Sequence, residues 1–167
     1  VTPGTLMTAH NTSVDSSAPH FDIVIPSMIA ANQKQLIRMM AHEVAKVIGI
    51  GERILADRLT EKEKEAPSAM GEGIAITHLH ISGLKEPVNV FIRLKNAVDI
   101  SAADKQDVDL VCLLLTPERE GAAYLRSMAR LSRLLRNPQI CAMLRSAQNE
   151  KAIHNVFEQT AHHKMAA

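Results

Sequence analysis

Aromatic side chains are scarce in this chain, at 2% of 167 residues: no Trp, one Tyr and three Phe. So few rings exclude a platform that stacks successive bases of a single strand of nucleic acid. An excess of either charge is missing too. Nineteen Lys and Arg face eighteen Asp and Glu, a net +1, which suits neither a basic nucleic-acid coat nor an acidic solvating tail. No apolar run approaches ~20 residues, so no membrane-spanning helix is read. The opening residues lack a basic start followed by an apolar stretch, so no cleavable signal peptide is read there either. Cys112 and Cys141 stand inside apolar segments without metal-type spacing. They read as buried free thiols of a reducing compartment, not as a disulfide framework. A soluble, cytoplasmic protein with one domain is the expectation.

What is present reads in order. Residues 1–20, rich in Thr, Ser, Ala and Pro, are expected to be a disordered leader. Phe21 to Ile25 is a short apolar segment stopped by Pro26. Asn32 with Gln35 resembles a capping pair, and Leu36, Met40, Val44 and Val47 then recur at helical spacing up to Gly49. Glu52 to Leu59 reads as a second, shorter helix, and the run Glu61-Lys62-Glu63-Lys64-Glu65 as a solvated helix end or loop. The period then changes. Residues 73–77 form a short strand after Gly71 and Gly73. Val88, Val90, Ile92 and Leu94 share one face of a strand, and Val108 to Leu115 is an apolar run typical of a strand covered on both faces. After Pro117, Tyr124, Met128, Leu131 and Leu135 form one helical stripe. Asn137-Pro138 breaks that helix, a short one follows, and Asn149 caps the last. The fold class expected is α/β, one mixed sheet flanked by helices on both faces, spanning residues 21–158, with 159–167 a disordered tail.

The segment Gly71-Glu72-Gly73-Ile74-Ala75-Ile76-Thr77-His78-Leu79-His80 holds the main candidate chemistry. Two glycines allow close backbone approach, and a short strand then delivers a histidine at its end. Such a histidine suits a nucleophile, a general base or a metal ligand; the plain alternative is a surface loop histidine. His78 and His80, two apart on an extended chain, can point to one side, but no Cys, Asp or Glu stands at a third-ligand spacing, so no metal site is expected. The Gly71-x-Gly73 pair precedes a strand and so fails the context of a dinucleotide loop.

A basic stripe is the other feature. Arg119, Arg126, Arg130 and Arg133 fall at helical offsets, and residues 116–147 hold six Arg against two Glu. Such a face can meet phosphates or an acidic protein, but a solvated face of an amphipathic helix is the commoner reason for it. Nucleic acid is not an expected partner. Tyr124 sits on the core stripe of that helix, either half-buried with its hydroxyl at the surface or beside the site.

Gly73-Ile74-Ala75-Ile76-Thr77-His78 resembles the active-site segment of the fructose/mannitol-type (type 2) enzyme IIA domain of the bacterial sugar phosphotransferase system, and its nitrogen-regulatory branch in particular. In that family the segment ends Pro-His and the histidine carries a phosphoryl group. Supporting pieces follow in order: Asp107-Val108-Asp109-Leu110-Val111 with Leu113-Leu114-Leu115-Thr116-Pro117, the helix from Leu125 to Leu135, and Ile140 to Ala147. Three positions differ. Thr77 stands where the family has Pro, Lys62-Glu63 where it has Arg-Glu, and Tyr124 where it has a second active-site histidine. The resemblance implies that His78 is the phosphoryl acceptor, with Lys62, Tyr124 and backbone N–H groups around Gly73 near the phosphoryl oxygens, and Thr77 and Glu63 as binding positions. It implies no cofactor and no metal. The implied partners are an HPr-type phosphocarrier and downstream regulatory proteins, with no membrane insertion. Two alternatives stand beside this: an interaction module that keeps the fold without the phosphoryl relay, and a sugar-transport IIA component that passes phosphate to a IIB domain.

Overall fold

The computed structural model describes residues 19–119 and 121–163. Strand β1 (Ile23–Met28) leads into helices α1 (Gln33–Ile48) and α2 (Glu52–Glu65). Strands β2 (Ala69–Gly71), β3 (Ile74–Ile81), β4 (Val88–Val98) and β5 (Val108–Pro117) follow. Helices α3 (Ala123–Leu135), α4 (Pro138–Ser146) and α5 (Glu150–His163) close the chain. The strands form one sheet in the order β1-β4-β5-β3-β2. β1 and β4 are parallel, as are β3 and β5, while β4–β5 and β2–β3 are antiparallel. This is the mixed α/β sheet that the alternating periods imply.

Period-two alternation assigns the faces. Val90, Ile92, Leu94, Val111, Leu113 and Leu115 point to α1 and α2, and Phe91, Leu110, Cys112 and Leu114 point to α3, α4 and α5. β5 is buried on both sides, as its unbroken apolar run requires. The three phenylalanines, Phe21, Phe91 and Phe157, gather in one cluster with ring centroids 4.7 to 5.6 Å apart. Both cysteines are free and buried, and burial pushes the Cys112 thiol up.

Local chemistry explains most boundaries. The Asn32 side chain accepts from Gln35 N at 2.8 Å and Gln35 Oε1 accepts from Ala31 N, which starts α1; Gly49, at φ 71°, ends it. Several boundaries depart from the sequence reading. β1 does not stop at Pro26 but runs through it to Met28. It is an edge strand with a register break between Ile25 and Met28, where a missing N–H costs no ladder bond. The charged run 61–65 is helical and extends α2 beyond Leu59. Arg119 precedes α3 and does not belong to its helical face. α5 continues through His163, past the boundary drawn at 158. The expectations for residues 1–18 and 164–167 lie outside the described residues. Among the described residues no helix is long and apolar enough to cross a membrane.

Candidate functional site

β3 presents Ile74, Ile76, His78 and His80 to the α3 side and Ala75, Thr77, Leu79 and Ile81 to the α1–α2 side. Parallel pairing sets His80 opposite Thr116 of β5 and His78 opposite Leu114. Thr116, last before Pro117, thus faces both imidazoles from the end of an apolar strand. Its Oγ1 lies 2.7 Å from His78 Nε2 and 3.0 Å from His80 Nδ1. Tyr124, in the first turn of α3, stacks flat on the His78 ring, with centroids 3.8 Å apart and 6° between planes. His80 meets both rings edge to face, 4.5 Å from His78 and 5.4 Å from Tyr124.

His78 is 5% exposed. Burial above all, then the charges of His80 and Lys62, lower its pKa from 6.5 to about 4. The ring is therefore neutral at pH 7 and holds a lone pair on one nitrogen. Thr116 engages Nε2, and Nδ1 has no partner among the described residues. A neutral imidazole clamped on its face by Tyr124 and on its edge by Thr116 has the fixed position and the lone pair that a nucleophile requires.

The remaining expected positions divide. Lys62 is half-buried on α2 and its charge acts on His78. One turn earlier, Arg58 Nη2 donates to the His80 carbonyl at 2.8 Å, tying α2 to the outer edge of β3. Glu63 accepts from Ser68 N with both oxygens, at 3.2 and 3.3 Å, and holds the turn into β2. Thr77, buried, lies on the opposite sheet face from His78 and shares with Glu63 and Ser68 the lining of a cavity of about 30 Å³. Gly73 lies outside this cluster. Five residues at ~3.3 Å each separate it from His78 by about 16 Å, at the far end of β3. A larger cleft of about 380 Å³ lies at that far end as well, between Met70, Glu72, Ser132 and Arg136, and touches neither histidine.

Three features escaped the sequence: Thr116, Arg58 and the bonded state of His80. The only trace of Thr116 was a hydroxyl closing an apolar strand, and its meaning needs the β3–β5 register. Arg58 stands four residues before Lys62, on the same helix face. His80 reads as a solvent ring until its neighbour across the sheet is known. Among the described residues no three His, Cys, Asp or Glu side chains cluster to hold a metal ion.

Comparison with known proteins gives a consistent result. Residues 21–160 match the family model described as "Phosphoenolpyruvate-dependent sugar phosphotransferase system, EIIA 2". The nitrogen regulatory protein of Bradyrhizobium diazoefficiens is 36% identical over 136 residues, covering 81% of this chain and 89% of that protein. Among solved structures, nitrogen regulatory protein IIA-Ntr from Neisseria meningitidis superposes with a TM-score of 0.75 at 23% identity, covering 81% of this chain and 92% of that one. Enzyme IIAMTL of Escherichia coli, solved in complex with phosphorylated enzyme IIBMTL, gives a TM-score of 0.64 at 16% identity over 80% of this chain and 92% of that one. Both structural likenesses speak for the fold.

Proposed function

The chain belongs to the phosphoenolpyruvate-dependent sugar phosphotransferase system EIIA 2 family, and from that premise we propose that His78 accepts a phosphoryl group from the phosphohistidine of an HPr-type phosphocarrier, and that the phosphorylation state of His78 then regulates partner proteins. The observation that carries the reading is the buried, neutral His78 ring, fixed by Tyr124 and Thr116 at the end of β3. Phosphoryl transfer is mostly a matter of positioning and of stabilising charge on the oxygens. The lone pair attacks in line as the carrier's N–P bond breaks, and the electron pair of that bond stays on the carrier imidazole. Lys62 supplies a cation. The first turn of α3, which carries Tyr124 and has no side-chain cap, supplies backbone N–H groups. A deep pocket is unnecessary when a protein surface delivers the group.

Phosphorylation adds roughly −1.5 to −2 charge at one point. On a chain of net +1 that suffices to exchange one binding partner for another. The regulatory reading rests on the 36% identity with a nitrogen regulatory protein. The likeness to an enzyme IIA solved with a phosphorylated IIB supports a second reading, in which the group passes on to a IIB domain.

The test is labelling from radioactive phosphoenolpyruvate through enzyme I and the carrier. Wild type is expected to gain acid-labile label, and His78→Ala to gain none. If wild type stays unlabelled while an authentic relative is labelled in the same tube, the proposal fails and an interaction module that has lost the relay takes its place.

A further inference from the structure

The cleft of about 380 Å³ at the start of β3 has no part in phosphoryl transfer at the other end of the strand. Met70 of β2, Glu72 in the turn and Ile74 of β3 form one side of its lining; Ser132, Leu135 and Arg136 of α3 and its cap form the other. A volume of that size holds a small molecule. The two charges in the lining are opposite and do not meet. Neither the Glu72 carboxylate nor the Arg136 guanidinium forms a hydrogen bond or ion pair among the described residues. The Glu72 charge acts on Arg145, but that guanidinium is already bonded to both oxygens of Asp109. The apolar lining is buried at Ile74 and Leu135 and exposed at Met70, whose unbranched side chain adapts to what it meets. The Ser132 hydroxyl donates to the Met70 sulfur at 3.7 Å, a weak acceptor that a carboxylate oxygen outcompetes.

The backbone that carries Glu72 is strained. Gly71, Glu72 and Gly73 stand at φ 95°, 57° and 82°, and the middle residue is the one with a side chain. At such an angle a glycine is easier to hold than a glutamate. The strained residue is fixed from both sides. Its N–H donates to Asp104 Oδ2 at 2.8 Å, and its carbonyl accepts from Arg145 Nη2 at 2.9 Å. Only the carboxylate is left without a bond. An anionic group kept at a strained position, on a fixed backbone, beside a cleft with an unpaired cation, is placed for a ligand.

We infer that this cleft binds a free α-amino acid with an apolar side chain, its ammonium on Glu72, its carboxylate on Arg136 and Ser132, and its side chain against Met70, Ile74 and Leu135. A ligand with a single charge leaves one of the two ionic groups unmatched, and a neutral one leaves both; a small zwitterion matches them together. Binding is noncovalent and does not depend on whether His78 accepts a phosphoryl group.

Titration of the intact 15N-labelled chain with L-leucine and L-methionine at millimolar concentration tests this. The amide signals of Glu72, Ser132 and Arg136 are expected to shift. N-acetyl-L-leucine lacks the ammonium and L-leucinamide lacks the carboxylate, and each is expected to bind about tenfold more weakly, the scale of one charged hydrogen bond. Arg136→Gln is expected to weaken L-leucine by a similar factor. Arg133→Gln, exposed on α3 and outside the lining, is expected to leave it unchanged. Glu72→Gly removes the carboxylate and the strain together, so binding is expected to be lost while the urea midpoint does not fall. Loss of the site is thereby separated from loss of the fold. Should that midpoint fall, the two blocked ligands and Arg136→Gln still decide. The inference is overturned if the cleft signals stay unmoved, or if either blocked compound binds as well as L-leucine. Binding that survives Glu72→Gly and Arg136→Gln overturns it as well.

Discussion

The two ends of β3 are held in opposite ways. At the start, Gly73 sits at φ 82° and its carbonyl accepts from both Asp109 N and Leu110 N. Around it the Arg145 guanidinium grips the Asp109 carboxylate with two bonds of 2.8 and 2.9 Å and also reaches the Glu72 carbonyl. Arg145 and Asp109 neutralise each other there, and the clamp pins β3 to β5 and α4. At the other end, two imidazoles share one hydroxyl, and the cations Lys62 and Arg58 have no carboxylate partner among the described residues. Satisfied charge makes a fixed point, while a surplus of donors and cations suits an anion that comes and goes. The glycine-rich start of the motif is the anchor, and the proposed chemistry sits where the strand ends.

The largest effect that sharpens this contrast is expected from Gly73→Ala. A Cβ there would lie 2.8 Å from Arg145 Nη2, 3.1 Å from Asp109 Oδ1 and 3.3 Å from the Asp107 carbonyl. Left-handed backbone costs an alanine ~1–2 kcal/mol, and displacing the clamp a similar amount or more, together about 4 kcal/mol. Urea unfolding measures it. Labelling per folded molecule is expected to stay near wild type, because His78 is about 16 Å away. Full stability with lost labelling would place Gly73 in the site after all.

A smaller effect belongs to the His78 end. Folded, this ring titrates near about 4 against its ordinary 6.5. Between those values the unfolded chain holds a proton that the folded chain does not, so acid favours unfolding. The stabilising contribution is complete above pH 6.5 and is lost as pH falls toward 4, by about 3 kcal/mol in all. Unfolding of wild type and His78→Gln at pH 7.5 and pH 4.5 tests it. The wild type is expected to lose more than the variant by roughly that amount, and equal losses would mean that His78 is not buried as a neutral ring.

The same contrast explains how much the chain disclosed before its structure. Helix caps at Asn32 and Gly49, the two-sided burial of β5 and the apolar stripe of α3 are local patterns, so they could be read directly. Strand β2 was missed because three residues leave no period to read. At the site, His78 was legible because its motif is contiguous. Its partner Thr116 was not, since it is 38 residues away in sequence and meets His78 only through the β3–β5 register, and Arg58, 22 residues before His80, reaches that residue's carbonyl only through the lie of α2. Gly73 was grouped with His78 by nearness in sequence, yet five residues of strand are long enough to put them at opposite ends of the sheet.

The smallest effect concerns Tyr124, the position at which the sequence resemblance implies a second histidine in the family. Its ring lies parallel to that of His78 at 3.8 Å. A phenol stacked in this way presents its face to the imidazole, and its hydroxyl, in the plane of its own ring, is not aimed at the in-plane lone pair of a His78 nitrogen. What Tyr124 gives His78 is a wall that fixes the ring and excludes water. Tyr124→Phe keeps that wall, so it is expected to change stability by less than about 0.5 kcal/mol and the labelling rate by less than about twofold. Tyr124→Ala removes the wall and is expected to slow labelling further, through a ring free to turn. Initial labelling rates of the two variants separate these roles. Should Phe be as slow as Ala, the hydroxyl and not the ring face would be the working part, and Tyr124 would have to be counted among the donors to the phosphoryl oxygens.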